Sequence, residues 1–237
     1  MNIRAFAHTD IGRVRQENQD AFLLDDELRL YAVADGIGGL PAGAQASKLA
    51  LTALREFFVQ QKPGAAVDYD ASLEDANKQV HLLGRQISPR LGIGSTLTFV
   101  HLNDDHLNFG HVGDTRLIRF RDSTVTQITS DHTLENEFAM RLERGESPLL
   151  LIENKNALTR CIGQPPPVCG DFDSLPMLPG DRYLIASDGV TRLVSTEDMA
   201  ILLDRFKEPE KWVRTMVDTA NERGGFDNIT ALAIFAD

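Results

Sequence analysis

The chain has 237 residues, of which 42% are hydrophobic and 25% charged, and a formal net charge of −11, the make-up of one large globular domain covering residues 1–237. No apolar run approaches the roughly 20 residues that a membrane helix needs, and charges interrupt the opening "MNIRAFAHTDIGRVRQ" where a secretory signal would be continuously apolar, so membrane insertion is excluded and a cytoplasmic address is expected. The acidic balance argues against nucleic-acid binding, which draws on clustered Lys and Arg, but it is compatible with an anionic substrate wherever bound cations invert the local charge.

Strand-like stretches come first: "NIRAFAH" at 2–8, "DAFLL" at 20–24 and "LRLYAVA" at 28–34, with Asp25 and Asp26 turning between the last two. From Pro41 to about Gln61 the apolar period becomes helical, and a second helix is expected from Ser72 to Ile87, opened by Ser72 with Asp75 three residues on. "STLTFVHL", "HLNFGHV", "TRLIRF" and "VTQI" follow as strands, broken by Asn-Asp and Arg-Asp turns in the manner of an antiparallel meander. The stretch 133–156 reads as a mobile excursion, helical in "ENEFAMRLERG" with Gly145 as its stop. "RYLIAS", a helix opened by Ser195, a helix around Trp212 to Arg223 and the strand "NITALAIFA" complete the chain. Strands, two helices, strands, two helices and a strand make the order of a layered α+β domain.

Three of these strands end on acid and glycine: "YAVADGIGG" at 31–39, "RYLIASDGV" at 182–190 and "LNFGHVGDTR" at 107–116. Asp35, Asp188 and Asp114 therefore stand at strand ends, where a scaffold holds a short side chain with little freedom, while Asp227 precedes the last strand and Asp20 precedes "AFLL". One such ending is an ordinary turn; five carboxylates brought to one edge repel unless cations neutralise them. An almost all-oxygen donor set without an EF-hand-like loop favours Mg²⁺ or Mn²⁺ over Ca²⁺. Gly36 would let a backbone carbonyl approach a metal, and Gly38, Gly39 and Gly43 would let the chain turn into the helix. Arg15, five residues before Asp20, offers the fork-shaped donor that suits two phosphate oxygens. The six histidines, His8, His81, His101, His106, His111 and His132, show no paired metal-ligand spacing and read as structural; Cys161 and Cys169 read as two reduced thiols.

Together "TDIGRVRQENQDAF", "VADGIGGLPAGAQAS", "GSTLTFV", "HVGDTRL", "QITSDHT", "LTRCIG", "YLIASDGV" and "FDNITALAI" resemble, in order, the motifs of the metal-dependent type 2C Ser/Thr protein phosphatase family in its compact bacterial form. The resemblance implies a four-layer α-β-β-α sandwich, two antiparallel sheets flanked by helix pairs, with a binuclear metal site at one end. On the matching positions Asp35 would bridge two divalent cations, Asp188 and Asp227 would complete the ligands of the first cation, Asp20 and the Gly36 carbonyl would serve the second cation, and Arg15 would hold the substrate phosphate. Asp114 would be a ligand of a weaker third metal.

The chain departs from the family in three places. Gln19 stands where some relatives carry a glutamate, which leaves that work to Asp20. Ile37 stands where many have a histidine after Asp-Gly, so the general acid is unassigned. Arg192 stands where many have an acidic residue four places after Asp188, which leaves occupancy of the third metal site open. The implied activity is hydrolysis of phosphoserine and phosphothreonine in proteins by a hydroxide held between the metals, opposing a Ser/Thr kinase in the same cell, with 133–156 as a flap beside the site. The alternatives are a non-catalytic regulator that binds phosphoproteins and a hydrolase of small phosphoesters.

Overall fold

The computed structural model describes residues 1–62, 65–103, 105–146 and 154–237. Among the described residues ten strands form two five-stranded sheets. In the first, β1 (Ile3–Asp10) lies beside β10 (Ile229–Ala236), followed by β9 (Arg182–Ala186), β6 (Arg116–Arg121) and β7 (Thr124–Gln127). In the second, β2 (Asp20–Asp25) lies beside β3 (Leu30–Asp35), β4 (Leu97–Asn103), β5 (His106–Val112) and β8 (Asp171–Pro176). Every pairing is antiparallel.

The sheets stack face to face, and the alternation of side chains along each strand decides what fills each layer. Tyr31 and Val33 of β3 enter the space between the sheets with Leu117, Tyr183, Ile185, Leu232 and Ile234. Their neighbours Leu30, Ala32 and Ala34 face outward to α1 (Gly43–Val59) and α2 (Tyr69–Ile87). Ala231, Ala233 and Phe235 of β10 face the other way, to α5 (Thr196–Arg205) and α6 (Pro209–Glu222). Strands covered on both faces have no polar side to show, so β3, β9 and β10 are continuous apolar runs rather than alternating ones. On the outer face of the second sheet, alanines at 32, 34, 46, 50 and 53 let α1 lie close to β3. On the opposite outer face Trp212 is completely buried, and its indole Nε1 donates to the Met199 carbonyl at 3.0 Å. The result is the four-layer arrangement of two antiparallel sheets between helix pairs.

Several elements differ from the sequence expectation. α2 begins at Tyr69, a turn before Ser72, because Asp68 is the N-cap and accepts from the Ala71 amide at 3.0 Å; the Ser72 hydroxyl instead donates back to the Tyr69 carbonyl at 2.7 Å. α6 likewise begins early, at Pro209, where proline's missing N–H costs nothing. Gly39 takes the left-handed backbone expected of the turn into α1 (φ 92°), but the residue that caps the helix is also left-handed and is Ala42 (φ 55°) rather than a glycine. β8, "DFDSLP", is an edge strand of half-buried and exposed residues in which only Phe172 and Leu175 pack against the cores, and it carries no continuous apolar run. A four-residue helix, α4 (Asp188–Thr191), follows β9.

The stretch read as one meander is two hairpins in different sheets: β4 pairs β5 in the second sheet, β6 pairs β7 in the first, and the chain changes sheet at Gly113–Asp114. Within 133–156, α3 (Leu134–Glu143) is helical as expected, with Gly145 at φ 76° after it. Residues 147–153 of that stretch lie outside the described residues. Its two stems are joined where the Leu134 amide donates to the Ala157 carbonyl at 3.0 Å and the Thr159 amide to the His132 carbonyl at 2.9 Å.

Candidate metal centre

The register of the β2–β3 hairpin sets Asp20 directly opposite Asp35, so two carboxylates meet on one edge of the second sheet. The first sheet supplies the others at the same edge. Asp188 follows the end of β9, and the residue before it, Ser187, donates its hydroxyl to Asp20 Oδ2 at 2.9 Å, fastening one sheet to the other. Asp227 precedes β10, and Asp114 sits where the chain passes between sheets. All five sequence-predicted aspartates are therefore brought to one end of the sandwich. Asp35, Asp114, Asp188 and Asp227 line a cleft of about 740 Å³ together with Arg15, Gly36, Arg192 and the stem residues Asn154 and Asn156, and Asp20 lies beneath it, only 4% exposed.

The two Asp-Gly pairs have a steric cause. A Cβ on Gly36 would come within 2.5 Å of the Gly43 carbonyl, and one on Gly189 within 2.0 Å of the Asn228 carbonyl. Both glycines let a strand end run against another backbone immediately after its acid.

Burial and mutual repulsion govern the cluster's protonation. Burial pushes Asp20 up to about 6, with the charge of Asp188 adding to it while hydrogen bonds from Ser187 and Thr230 oppose it. Asp35 is driven well above the usual carboxylate range, first by burial and then by the charges of Asp20, Asp188, Asp114 and Asp227. Burial and the charge of Asp188 push Asp114 up to about 7. Burial raises Asp188 too, against the pull of Arg192. Asp20 Oδ1 and Asp188 Oδ1 are buried without any hydrogen-bond partner among the described residues, each a desolvation cost of about 1–3 kcal/mol or more for a charged group.

Two arginines offset part of this charge. Arg15 Nη2 donates to Asp227 Oδ2 at 2.7 Å, and Arg192 Nη2 lies 2.7 Å from Asp188 Oδ2 and 3.8 Å from Asp114 Oδ2. With carboxylates turned to these guanidinium groups, no three acidic, histidine or cysteine side chains among the described residues converge on one point. The donor set nevertheless fits hard divalent cations: acidic oxygens from two sheets, two of them buried and unpartnered, beside Gly36, which lines the same cleft.

Residues given no role from sequence hold this edge together. Asn228 accepts from the Gln19 amide at 2.9 Å and donates its amide to the carbonyls of Ile11 and Glu17 at 2.9 and 3.0 Å, clasping the segment that carries Arg15 and Asp20 to the start of β10. Thr96 Oγ1 accepts from the Asp35 amide at 2.9 Å, and its own amide donates to the Asp35 carbonyl at 2.8 Å. Both are polar residues at the mouth of a buried apolar strand, the one sequence signal that distinguishes them. Among the described residues no histidine lines the cleft. His132 is buried, accepts from the Gly113 amide at 3.1 Å and contacts Asp171 at 3.0 Å, in agreement with a structural role. Cys161 borders the cleft with its thiol pushed up by burial, and Cys169 is exposed and free.

The sequence profile of the protein phosphatase 2C family matches residues 11–225, so the chain belongs to that family, the metal-dependent protein Ser/Thr phosphatases. Among curated relatives, a putative protein phosphatase 2C-type protein of Streptococcus pyogenes is 33% identical over 229 residues, 94% of this chain and 93% of its own. Among solved structures, the serine/threonine phosphatase of S. agalactiae superposes with a TM-score of 0.87 at 30% identity, covering 100% of both chains. The catalytic domain of serine/threonine protein phosphatase PstP in complex with two manganese ions superposes with a TM-score of 0.84 at 29% identity, covering 99% of each chain. Among the described residues no helix is long and apolar enough to cross a membrane.

Proposed function

We infer that the protein removes phosphate from phosphoserine and phosphothreonine side chains of protein substrates, using two divalent cations, Mn²⁺ or Mg²⁺, held at the shared edge of its sheets. Asp35, Asp188 and Asp227 would hold one cation, and Asp20, the Gly36 carbonyl and a shared Asp35 would hold the other. Bound there, such cations lower the pKa of water and offset phosphoryl charge. The observation that carries this reading is the gathering of carboxylates from both sheets at one end of the sandwich, with buried, unpartnered oxygens on Asp20 and Asp188.

The chain's own groups do the rest. Arg15, exchanging Asp227 for substrate, presents two parallel N–H donors to phosphate oxygens and fixes the phosphorus over the acids. Ile37 lines the cleft but has no proton to give, so the leaving oxygen takes its proton from water. The chain acts as one catalytic domain, and the stem at 154–158 gives one wall of the cleft, where the excursion influences which phosphoproteins fit. A cognate Ser/Thr kinase supplies the substrates, and the cytoplasm is the compartment in which the two meet.

The test is phosphate release from a phosphothreonine peptide with and without Mn²⁺, set beside a nucleotide as rival substrate. Mn²⁺-dependent turnover of the peptide in preference to the nucleotide is expected. Turnover that persists in EDTA after exhaustive dialysis contradicts the two-cation reading, and a preference for the nucleotide contradicts the protein substrate.

A further inference from the structure

We propose that Arg192 is a resident cation that holds the Asp114 side of the cleft in place of a divalent ion and so limits the centre to two metals. Arg192 caps α4 four residues after Asp188, which puts the two side chains on one helical face. The guanidinium then reaches past Asp188, at 2.7 Å, toward Asp114, at 3.8 Å, joining the acid that follows β9 to the acid of the sheet change. Arg116, the next cation along from Asp114, is committed elsewhere, to Asp131 through contacts of 2.7, 3.0 and 3.1 Å. Among the described residues the only ion pair to Asp114 is therefore that from Arg192.

The cluster's charges are neutralised unevenly. Arg15 reaches Asp227 and Arg192 reaches Asp188 and Asp114, whereas Asp20 and Asp35 have no ion pair among the described residues. The unneutralised pair at the centre of the edge is where divalent cations gain most, and the Asp114 flank already has its positive charge. A guanidinium keeps that charge at every relevant pH. A further divalent ion at Asp114 would have to approach within a few Å of it or drive it into solvent, and Coulomb repulsion at such distances weakens binding steeply.

The inference rests on the two-cation reading above, and calorimetric titration of the metal-free full chain with Mn²⁺ separates the two. Wild type is expected to bind two ions. Arg192→Ala and Arg192→Gln, the second keeping side-chain length while removing charge, are expected to bind a third, and the double variant Arg192→Gln/Asp114→Asn to return to two. The third ion should bind the variants at least about 10-fold more tightly than the weakest third-ion binding the titration would detect in wild type, the ratio that 1.4 kcal/mol of lost repulsion gives. Three ions in the wild type, or two in both Arg192 variants, overturns the role of Arg192 while leaving the two-cation centre standing. Fewer than two ions in the wild type overturns the two-cation reading itself, and this inference with it.

Discussion

The two ends of β3 obey opposite rules. Tyr31 and Val33 stand between the sheets among apolar side chains that leave essentially no surface exposed. Four residues beyond Tyr31, Asp35 stands in a cluster of like charges with burial against it. Strand β10 repeats the contrast, running from Asp227 at the cleft into the buried Ile229–Ala236. The interior is consistent at every level, and the edge is deliberately not: stability is concentrated where side chains agree, and chemistry where they conflict. The conflict is sustainable because each strand is pinned from within before its acid is presented.

That contrast is open to experiment from either end. The largest effect should come from Asp35→Asn, which removes the central charge and keeps the shape. It is expected to lower kcat at saturating Mn²⁺ on the order of 10³-fold, comparable to losing a key electrostatic group, while the metal-free melting temperature holds or rises because a buried repulsion is relieved; initial rates and thermal melts check both. In the opposite region, Trp212→Ala should cost about 3–5 kcal/mol of stability by emptying a packed site, with Mn²⁺ dependence of the surviving activity unchanged, as read by chemical denaturation and a metal titration of rate.

A third outcome concerns acid. His111 is buried with its Nδ1 2.8 Å from the Thr98 hydroxyl and its Nε2 3.1 Å from the Ser130 carbonyl; burial first, then the neighbouring His132, pushes it down to about 4. Its folded pKa lies below the unfolded value, so the unfolded chain binds the extra proton. The stability it contributes is complete above about 6.5 and is lost as pH falls toward 4. Wild type should therefore lose stability more steeply than His111→Gln across that window, by up to about 3 kcal/mol at its acid end, measured by denaturant melts at stepped pH. The smallest effect is expected from Arg15→Ala, which should raise KM about 10-fold and lower kcat less, since the lost contact is to phosphate in ground and transition state alike.

How far these regions were legible in the sequence follows from the same contrast. β3, β9 and β10 could be read because burial on both faces forces unbroken apolar runs, and their acids stand out against such runs. β8 could not, because an edge strand whose two core-packing residues, Phe172 and Leu175, stand among polar ones carries no continuous apolar run. The change of sheet at Gly113–Asp114, inside the stretch read as one meander, was not legible, since Gly-Asp has the same composition whether the chain folds back or crosses over. The helix-face pairing of Arg192 with Asp188 is written in a spacing of four, but its reach to Asp114 exists only once the two sheets are stacked. Asn228 and Thr96 were missed for a related reason: their partners lie 209 and 61 residues away in sequence.

The central claim is that the edge carboxylates form a cage completed by divalent cations. Thermal unfolding of the metal-free wild type against the same protein with Mn²⁺ at about 100 times its dissociation constant, a stabilisation of about 2.7 kcal/mol for one site, tests it most directly, with Asp35→Asn beside it. The account predicts a rise of several degrees in wild-type Tm, within the range such a free-energy change gives a domain of this size, and a much smaller rise in Asp35→Asn. A wild-type Tm indifferent to Mn²⁺, or an equal rise in both proteins, would contradict it.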